Sequence, residues 1–193
     1  MVQALKRADV TAEVLEPVIV SPRTRRRAVL EISCGEIGFH AAKTNAIVDM
    51  HECLVLTPGL FALGQHLRTR LGFLKAPADL HVTESVTGFD LGIRSPQKLD
   101  PQITAALANA VAGLGIARIT FNNALVLENA APQVLEGGVK VNLPPHPFLQ
   151  ATAEGEAALQ GEVLRIVGKA KSVADLFAGV GTFALPLAHK ART

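Results

Sequence analysis

The stretch ADLFAGVGTFALPLA, residues 174–188, constrains the fold of this chain more than any other. Its apolar beginning is typical of a buried strand, and glycines follow at positions 179 and 181. We predict a strand over residues 173–177, a tight turn through the two glycines, and a helix capped by Thr182. A strand, a turn and a helix in this order are the opening of a parallel α/β sheet, because parallel strands are joined by helical crossovers.

The glycine turn has two interpretations that its spacing leaves open. In the first it binds a ligand, because the start of a helix offers free N–H groups and Gly181 lets the backbone approach closely. Asp175 favours this interpretation, since a carboxylate within an apolar strand is costly without a partner. In the second it is a structural turn. The spacing also fits a dinucleotide fingerprint, whose confirming acidic residue would lie about 20 positions further on.

The composition indicates a folded protein without a strong charge bias. Hydrophobic residues make up 49% of the chain, which is enough for a core, and the net charge of +2 does not by itself indicate a nucleic-acid partner. The two cysteines, Cys34 and Cys53, lack the spacing of a metal finger or a disulfide framework. No apolar run is long enough for a membrane span, and the N-terminus lacks the apolar region of a signal peptide. We therefore expect a cytoplasmic protein.

Residues 1–143 are expected to form an α+β domain. Glycine-containing turns predict hairpins around residues 35–38 and 87–88, and Thr57-Pro58 and Asp100-Pro101 are typical helix starts. At PPHP, residues 144–147, the pattern changes, and residues 144–193 are expected to be the beginning of a doubly wound α/β domain. Further strands are predicted at TAEVLEPVIVS, NAIVDM, ARITFNN, ALVLE and GVKVNL, and a helix over residues 154–168 is expected to bury Leu159, Val163, Ile166 and Val167.

Two elements in the last third of the chain carry a family resemblance. FLQATAEGEAALQGEVLRIVG contains an aromatic-x-Gln element before a helix, and VADLFAGVGTFALPLA follows it. In this order and spacing they closely resemble the RNA 5-methyluridine (uracil-5) methyltransferases, the ribosomal-RNA branch more than the tRNA branch. DMHECLVLTPGL and SPRTRRRA also resemble the central region of that family. The resemblance covers essentially all of this chain but only the middle of a family member.

The resemblance implies an α+β central module followed by the incomplete start of a Rossmann-like, S-adenosylmethionine-dependent methyltransferase fold. It implies S-adenosylmethionine contacts for Gln150, Phe177 and the turn glycines Gly179 and Gly181. Thr182 stands where many members have a cofactor-contacting asparagine, and a threonine retains one of the amide's two hydrogen-bonding groups.

The resemblance implies RNA as the partner, and it implies neither a membrane nor a protein partner. Phe148 matches an aromatic residue near the RNA bases, although it could equally be a core phenylalanine after a proline-rich turn. Arg25, Arg26 and Arg27 belong to the densest basic cluster, which is either a phosphate-contacting surface or a solvated strand entry. The six histidines, among them His40, His81 and His146, show no ligand spacing and are expected to be ordinary surface or hydrogen-bonded residues.

A 4Fe–4S cluster is implied for an intact family member but not for this chain. Cys53 resembles the last of four cluster cysteines, and the other three lie in a segment that this sequence does not contain, so Cys53 is expected to be a buried thiol. In the family a cysteine adds to uracil C6 and a base removes the C5 proton, and both residues lie downstream of the glycine turn. We therefore expect no catalytic residue in this chain and no activity from it alone.

Two other functions stay open at this point. One is a non-catalytic RNA-binding module built from the α+β part and the arginine cluster. The other is a different adenosylmethionine-dependent or dinucleotide-dependent enzyme, since the glycine spacing fits both classes.

Overall fold

The computed structural model describes residues 2–12, 14–33 and 35–190. Within these ranges the chain forms a six-stranded sheet, a two-stranded sheet and five helices. The helices are α1 (Val2–Arg7), α2 (Pro58–Arg70), α3 (Pro101–Ala110), α4 (Ala153–Val167) and α5 (Ala184–Ala188). The strands are β1 (Arg27–Ser33), β2 (Glu36–Gly38), β3 (Ala78–Ser85), β4 (Gly88–Arg94), β5 (Ile116–Phe121), β6 (Ala124–Glu128), β7 (Gln133–Glu136) and β8 (Val139–Asn142).

The six-stranded sheet has the order β2-β1-β3-β4-β5-β6 and is antiparallel except between β4 and β5. That parallel pair is joined through α3, as a parallel connection requires. Alternate residues such as Leu80 and Val82 of β3 are buried with the leucines of α2 and α3 in one apolar core. The residues between them, including His81 and Thr83, lie on the opposite face of the sheet.

The predicted helix starts are confirmed by their caps. The Thr57 hydroxyl accepts the N–H of Leu60 at 3.2 Å, and the Asp100 carboxylate accepts the N–H of Ile103 at 2.7 Å. In both helices proline occupies the first turn, where its missing N–H costs nothing. The two predicted hairpins are also confirmed as β1–β2 and β3–β4.

Two strands predicted within the first 50 residues are wrong, and the strand β7 was missed. The described residues of 11–21 contain no strand, and the 45–50 segment contributes a single bridge, between His40 and Ile47. Pro17 removes a backbone donor in the first of these segments. The strand β7 was not predicted, because its four residues acquire strand structure only by pairing with β8.

The last 50 residues differ most from expectation. The predicted strand at residues 173–177 is absent, and Leu176 and Phe177 lie in a turn with exposed side chains. A strand needs a neighbour for its N–H and C=O groups, and no described strand pairs with this segment. The helix α4 is present, but Leu159 and Ile166 are exposed and its one buried side chain is that of Glu156.

The predicted cap of the last helix is also wrong. Helix α5 begins after Phe183, which makes no side-chain capping bond, and Thr182 turns its hydroxyl toward Glu136 instead. In the part of the chain that the structure describes, no helix is both long and apolar enough to cross a bilayer.

Candidate functional site

Arg26 ties the start of β1 to the segment that precedes α4. Its backbone N–H donates to the carbonyl of Ala151 at 2.9 Å, and its guanidinium donates to the carbonyl of Gln150 at 3.3 Å. The same guanidinium pairs with the Glu156 carboxylate at 2.7 Å, and both side chains are largely buried. Arg26 is therefore a structural link between these two parts of the chain, and its Nε and Nη2 atoms both donate within the protein.

Arg27 lies beside an exposed aromatic ring. Its guanidinium donates to the carbonyl of Leu149 at 2.7 Å, and its Cζ atom lies 5.2 Å from the centroid of the Phe148 ring. This is a cation–π distance. The Phe148 side chain is 73% exposed, so it is not a core residue, whereas Leu149 beside it is buried. Partial burial, together with Arg25 and Arg26, lowers the pKa of Arg27.

Arg25 lies next to Arg27 at the start of β1. Its Nε atom donates to the carbonyl of Arg27 at 3.0 Å, and its backbone forms bridges with Leu56 and Thr152. The side chain is exposed. Of the three predicted RNA-binding arginines, Arg25 thus presents the most free surface, while Arg26 presents the least.

A buried carboxylate that the sequence analysis did not single out lies behind the glycine turn. Glu136, at the end of β7, is fully buried and accepts a hydrogen bond from Gln160 at 3.0 Å. The Thr182 hydroxyl lies 3.4 Å from its other oxygen, and Gln160 also donates to the Thr182 carbonyl at 2.9 Å. Burial, and then the neighbouring Glu156, raise the pKa of Glu136. Thr182 is thereby held against this carboxylate.

The glycine turn itself is compact. Gly181 has a φ of +86°, its N–H donates to the Ala178 carbonyl at 2.9 Å, and a Cβ there would lie 2.9 Å from Cγ of Leu185. Gly179 also has a positive φ, with open space around it. The ring of Phe177 is fully exposed.

One atom in this turn suits a polar ligand. The Oδ2 atom of Asp175 is buried and has no hydrogen-bond partner in the described part of the chain. Because a buried unpaired carboxylate oxygen is costly, a donor at this position would be stabilising. Asp175 and the open Gly179 therefore fit a polar cofactor, whereas Thr182 is occupied by Glu136.

The predicted site residues fall into two groups. The first group surrounds the start of β1 and consists of Phe148, Gln150, Arg26 and Arg27. The second group lies in the glycine turn and consists of Phe177, Gly179, Gly181 and Thr182. Arg25 joins the first group through its bond to the Arg27 carbonyl, and its side chain is exposed.

Cys53 does not form a cluster site with the residues that the structure describes. Its sulfur accepts the N–H of Leu56 at 3.3 Å, and its side chain packs against the main core. No group of three potential metal ligands occurs among the described residues, and Cys34 lies outside them. A 4Fe–4S cluster needs several thiolates, so these residues alone do not fit one.

The structure brings together two histidines whose contact was not expected from their positions in the sequence. The rings of His81 and His146 lie edge to face with their centroids 5.0 Å apart. They line a groove of about 260 Å³ on the outer face of the sheet, together with Arg27, Arg94 and Phe148. The 64 intervening positions carry no spacing signal, because the contact depends on how residues 144–148 lie across the sheet.

Comparison with known proteins gives relatives along the whole chain. No family model matches it. An uncharacterized RNA methyltransferase of Rhizobium meliloti is 36% identical over 199 residues, which cover 100% of this chain and 48% of that protein. Another from Brucella suis is 38% identical over 198 residues, with 98% and 48% covered. The 23S rRNA (uracil(1939)-C(5))-methyltransferase of Aeromonas salmonicida is 27% identical over 202 residues, with 95% and 46% covered.

A solved structure has the same fold. The Pyrococcus abyssi tRNA (uracil-54, C5)-methyltransferase, in complex with S-adenosyl-L-homocysteine, superposes with a TM-score of 0.72 at 19% identity and covers 96% of this chain and 51% of that one. The chain thus spans about half the length of the relatives it matches. The predicted fold class is confirmed: a mixed sheet with helices, consistent with an incomplete Rossmann-like methyltransferase fold. The chain is therefore related over essentially its whole length to part of the RNA methyltransferases, as its sequence motifs indicate.

Proposed function

We propose that this chain functions within an S-adenosylmethionine-dependent RNA uracil-5 methyltransferase, with ribosomal RNA a better candidate substrate than tRNA. The match that carries the proposal is the one to a 23S rRNA uracil-C5 methyltransferase over 95% of this chain. The fold neighbour acts on tRNA, but at 19% identity it supports the fold rather than the choice of RNA.

The two groups of site residues have separate roles in this proposal. Residues 1–143 form the RNA-facing α+β domain, and residues 144–193 begin the methyltransferase domain. Phe148 offers an exposed ring on which a base can stack, and Arg25 and Arg27 offer positive charge near it. Arg26 contributes by holding the two domains in register through Gln150 and Glu156.

The glycine turn is the proposed cofactor site. S-adenosylmethionine would supply the methyl group there. Asp175 would accept a hydrogen bond from its polar part, Gly179 would allow close approach, and the exposed ring of Phe177 would cover it. Gln150 and Gly181 complete the proposed set. Thr182 can join only by sharing its hydroxyl with Glu136.

Three further points belong to this proposal. The chain alone transfers no methyl group, because its two cysteines, Cys34 and Cys53, both precede the glycine turn and neither is the expected nucleophile. Any 4Fe–4S cluster of the intact protein would need three ligands besides Cys53. The protein works in the cytoplasm, where its RNA substrate is found.

A non-catalytic RNA-binding module is the second candidate, favoured by the exposed Phe148 beside Arg27. Methyl transfer separates the two. The complete gene product would be incubated with tritiated S-adenosylmethionine and either unmethylated 23S rRNA or tRNA, and the RNA digested to nucleosides. Label in 5-methyluridine from rRNA is expected. RNA binding without any labelled nucleoside would favour the binding module, and label only in tRNA would correct the substrate.

A further inference from the structure

The groove on the outer face of the sheet has a definite chemical character. Its lining includes two arginines, Arg27 and Arg94, two histidines, His81 and His146, and the exposed ring of Phe148. No carboxylate lines it among the described residues. A concave surface that combines permanent positive charge, imidazoles and an exposed aromatic ring suits a phosphate next to a base.

The position of His146 is fixed by a buried ion pair. Arg118 pairs with both carboxylate oxygens of Asp90, at 2.9 Å and 2.7 Å, and both residues are buried. The same guanidinium donates to the carbonyls of Leu143 and Pro144, each at 3.0 Å. These bonds hold the chain just before His146 onto the sheet, so the groove exists before any ligand arrives.

Gly92 provides the surface on which the His146 ring lies. A Cβ at this position would lie 2.7 Å from Nδ1 of His146 and would clash with the neighbouring ring carbon as well. A glycine in the middle of a strand weakens the sheet unless another group must approach the backbone closely. Here the approaching group is the imidazole.

Two polar groups of the groove, on His146 and Arg94, have no partner among the described residues. The Nε2 atom of His146 is buried without a hydrogen-bond partner in the described chain. Arg94 is exposed and forms no ion pair with the described residues. A ligand that accepts hydrogen bonds from these two donors would satisfy an otherwise costly buried nitrogen.

The surroundings of both imidazoles favour their neutral form in the free protein. The pKa of His81 is lowered, first by burial and then by His146, Arg94 and Arg27, with Asp79 opposing. The pKa of His146 is lowered by burial, Arg94 and Arg118, with Asp90 opposing. Lowered values mean that both rings are neutral at neutral pH, and a bound anion would offset the repulsion from the arginines.

We propose that this groove binds one phosphodiester group of single-stranded RNA, with the adjoining base on Phe148, and that the His81–His146 pair takes up a proton from solvent on binding. The inference rests on the proposed function for the identity of the ligand. Since proton uptake accompanies binding, the affinity for RNA falls as the pH rises above the pKa of the free imidazoles.

The first experiment measures the affinity of the full chain for a fluorescein-labelled single-stranded oligouridylate at about pH 6 and about pH 8, at constant ionic strength. We expect the dissociation constant to rise at least ~10-fold between the two for the native sequence, and less than ~3-fold for His146→Gln and Gly92→Ala. His66→Gln, on the exposed surface of α2, is the control and should keep the full pH dependence. Far-UV circular dichroism identifies any variant that fails to fold.

A second readout separates this inference from the proposed function. The pKa of each imidazole is measured by NMR with and without uridine 3′-monophosphate, the rings being assigned from the histidine variants. We expect the ligand to raise the pKa of His81 and His146 and to leave that of His66 unchanged. Raised values without oligonucleotide binding would support the phosphate site and contradict the RNA function. Unchanged pKa values of His81 and His146, or oligonucleotide binding that does not depend on pH, would refute the proposal that this groove binds phosphate with uptake of a proton.

Discussion

Replacing Arg26 with alanine should destabilise the fold more than any other arginine substitution in the basic cluster. The Arg26–Glu156 pair is 2.7 Å long, with 14% and 5% of the two side chains exposed. Removing Arg26 leaves the Glu156 charge buried beside Glu136, which is already fully buried. Breaking a buried pair in this way costs about 3–5 kcal/mol, a large fraction of the ~5–15 kcal/mol that stabilises a typical domain.

The matched control is Arg23→Ala, three residues before Arg26 in the same basic stretch. Arg23 also forms a 2.7 Å pair, with Glu52, but its side chain is 51% exposed and that of Glu52 is 67% exposed. An exposed pair contributes about 0–1 kcal/mol, so this substitution should change little. Arg26→Lys should fall between the two, because it keeps the charge but loses the second donor that reaches the Gln150 carbonyl.

Urea unfolding followed by far-UV circular dichroism measures these free energies, since the chain has no tryptophan or tyrosine to report by fluorescence. If Arg26→Ala lowers the free energy of unfolding no more than Arg23→Ala does, Arg26 is not a structural link. Its guanidinium would then be available for contact with RNA.

Three other substitutions test separate parts of the account. Glu136→Gln should raise the free energy of unfolding at neutral pH, because a carboxyl whose pKa is raised by folding stabilises only at low pH and loses that contribution as the pH rises through the raised value. Unfolding at about pH 4.5 and pH 7.5 checks this, and the same difference between the variant and the native sequence at both pH values would contradict it. Gly181→Ala should lower the free energy of unfolding by about 1–3 kcal/mol, because of the positive φ of Gly181 and the close Leu185 side chain. Gly161→Ala, in open space on α4, should be neutral or stabilising, and equal melting temperatures for the two variants would count against the turn geometry. Phe148→Ala should leave stability nearly unchanged but weaken binding to a single-stranded oligouridylate about 5–100-fold in an anisotropy titration, and full affinity would exclude stacking on this ring.

The parts of the fold that the sequence predicted correctly are those that depend on near neighbours. Thr57 and Asp100 cap helices through groups three residues away, and the hairpin at Thr87-Gly88 depends on its own turn. Such features need no knowledge of the rest of the chain. The burial of alternate residues along β1 and much of β3 likewise follows from the two-residue period of a strand.

The errors in the last 50 residues depend on distant partners. An apolar run at residues 173–177 is a strand only if another strand lies beside it, and none of the described strands does. The apolar side of α4 is exposed at Leu159 and Ile166, because the helix is instead anchored through the charged Glu156. Periodicity identifies an amphipathic helix but cannot say which face finds a partner.

The residues of the candidate site were expected from the family resemblance, and their roles stay predictions; their arrangement could not be predicted from the sequence. The motifs indicated Phe148, Gln150 and the glycine turn, and the structure groups the first two with Arg26 and Arg27. The contacts that bury Arg26 and partly cover Arg27 join residues more than 100 positions apart in sequence. For Glu136, no spacing pattern could have shown that its carboxylate is buried behind Thr182.

The most direct test of the central claim is a map of 5-methyluridine in the ribosomal and transfer RNA of cells that lack the gene for this protein. Liquid chromatography and mass spectrometry of RNA fragments would compare these cells with the parent and with a strain in which the gene is restored. We predict that one 5-methyluridine disappears from 23S rRNA, returns on complementation, and stays unchanged in tRNA. An unaltered set of 5-methyluridines in both RNAs would contradict the assignment to uracil-5 methylation.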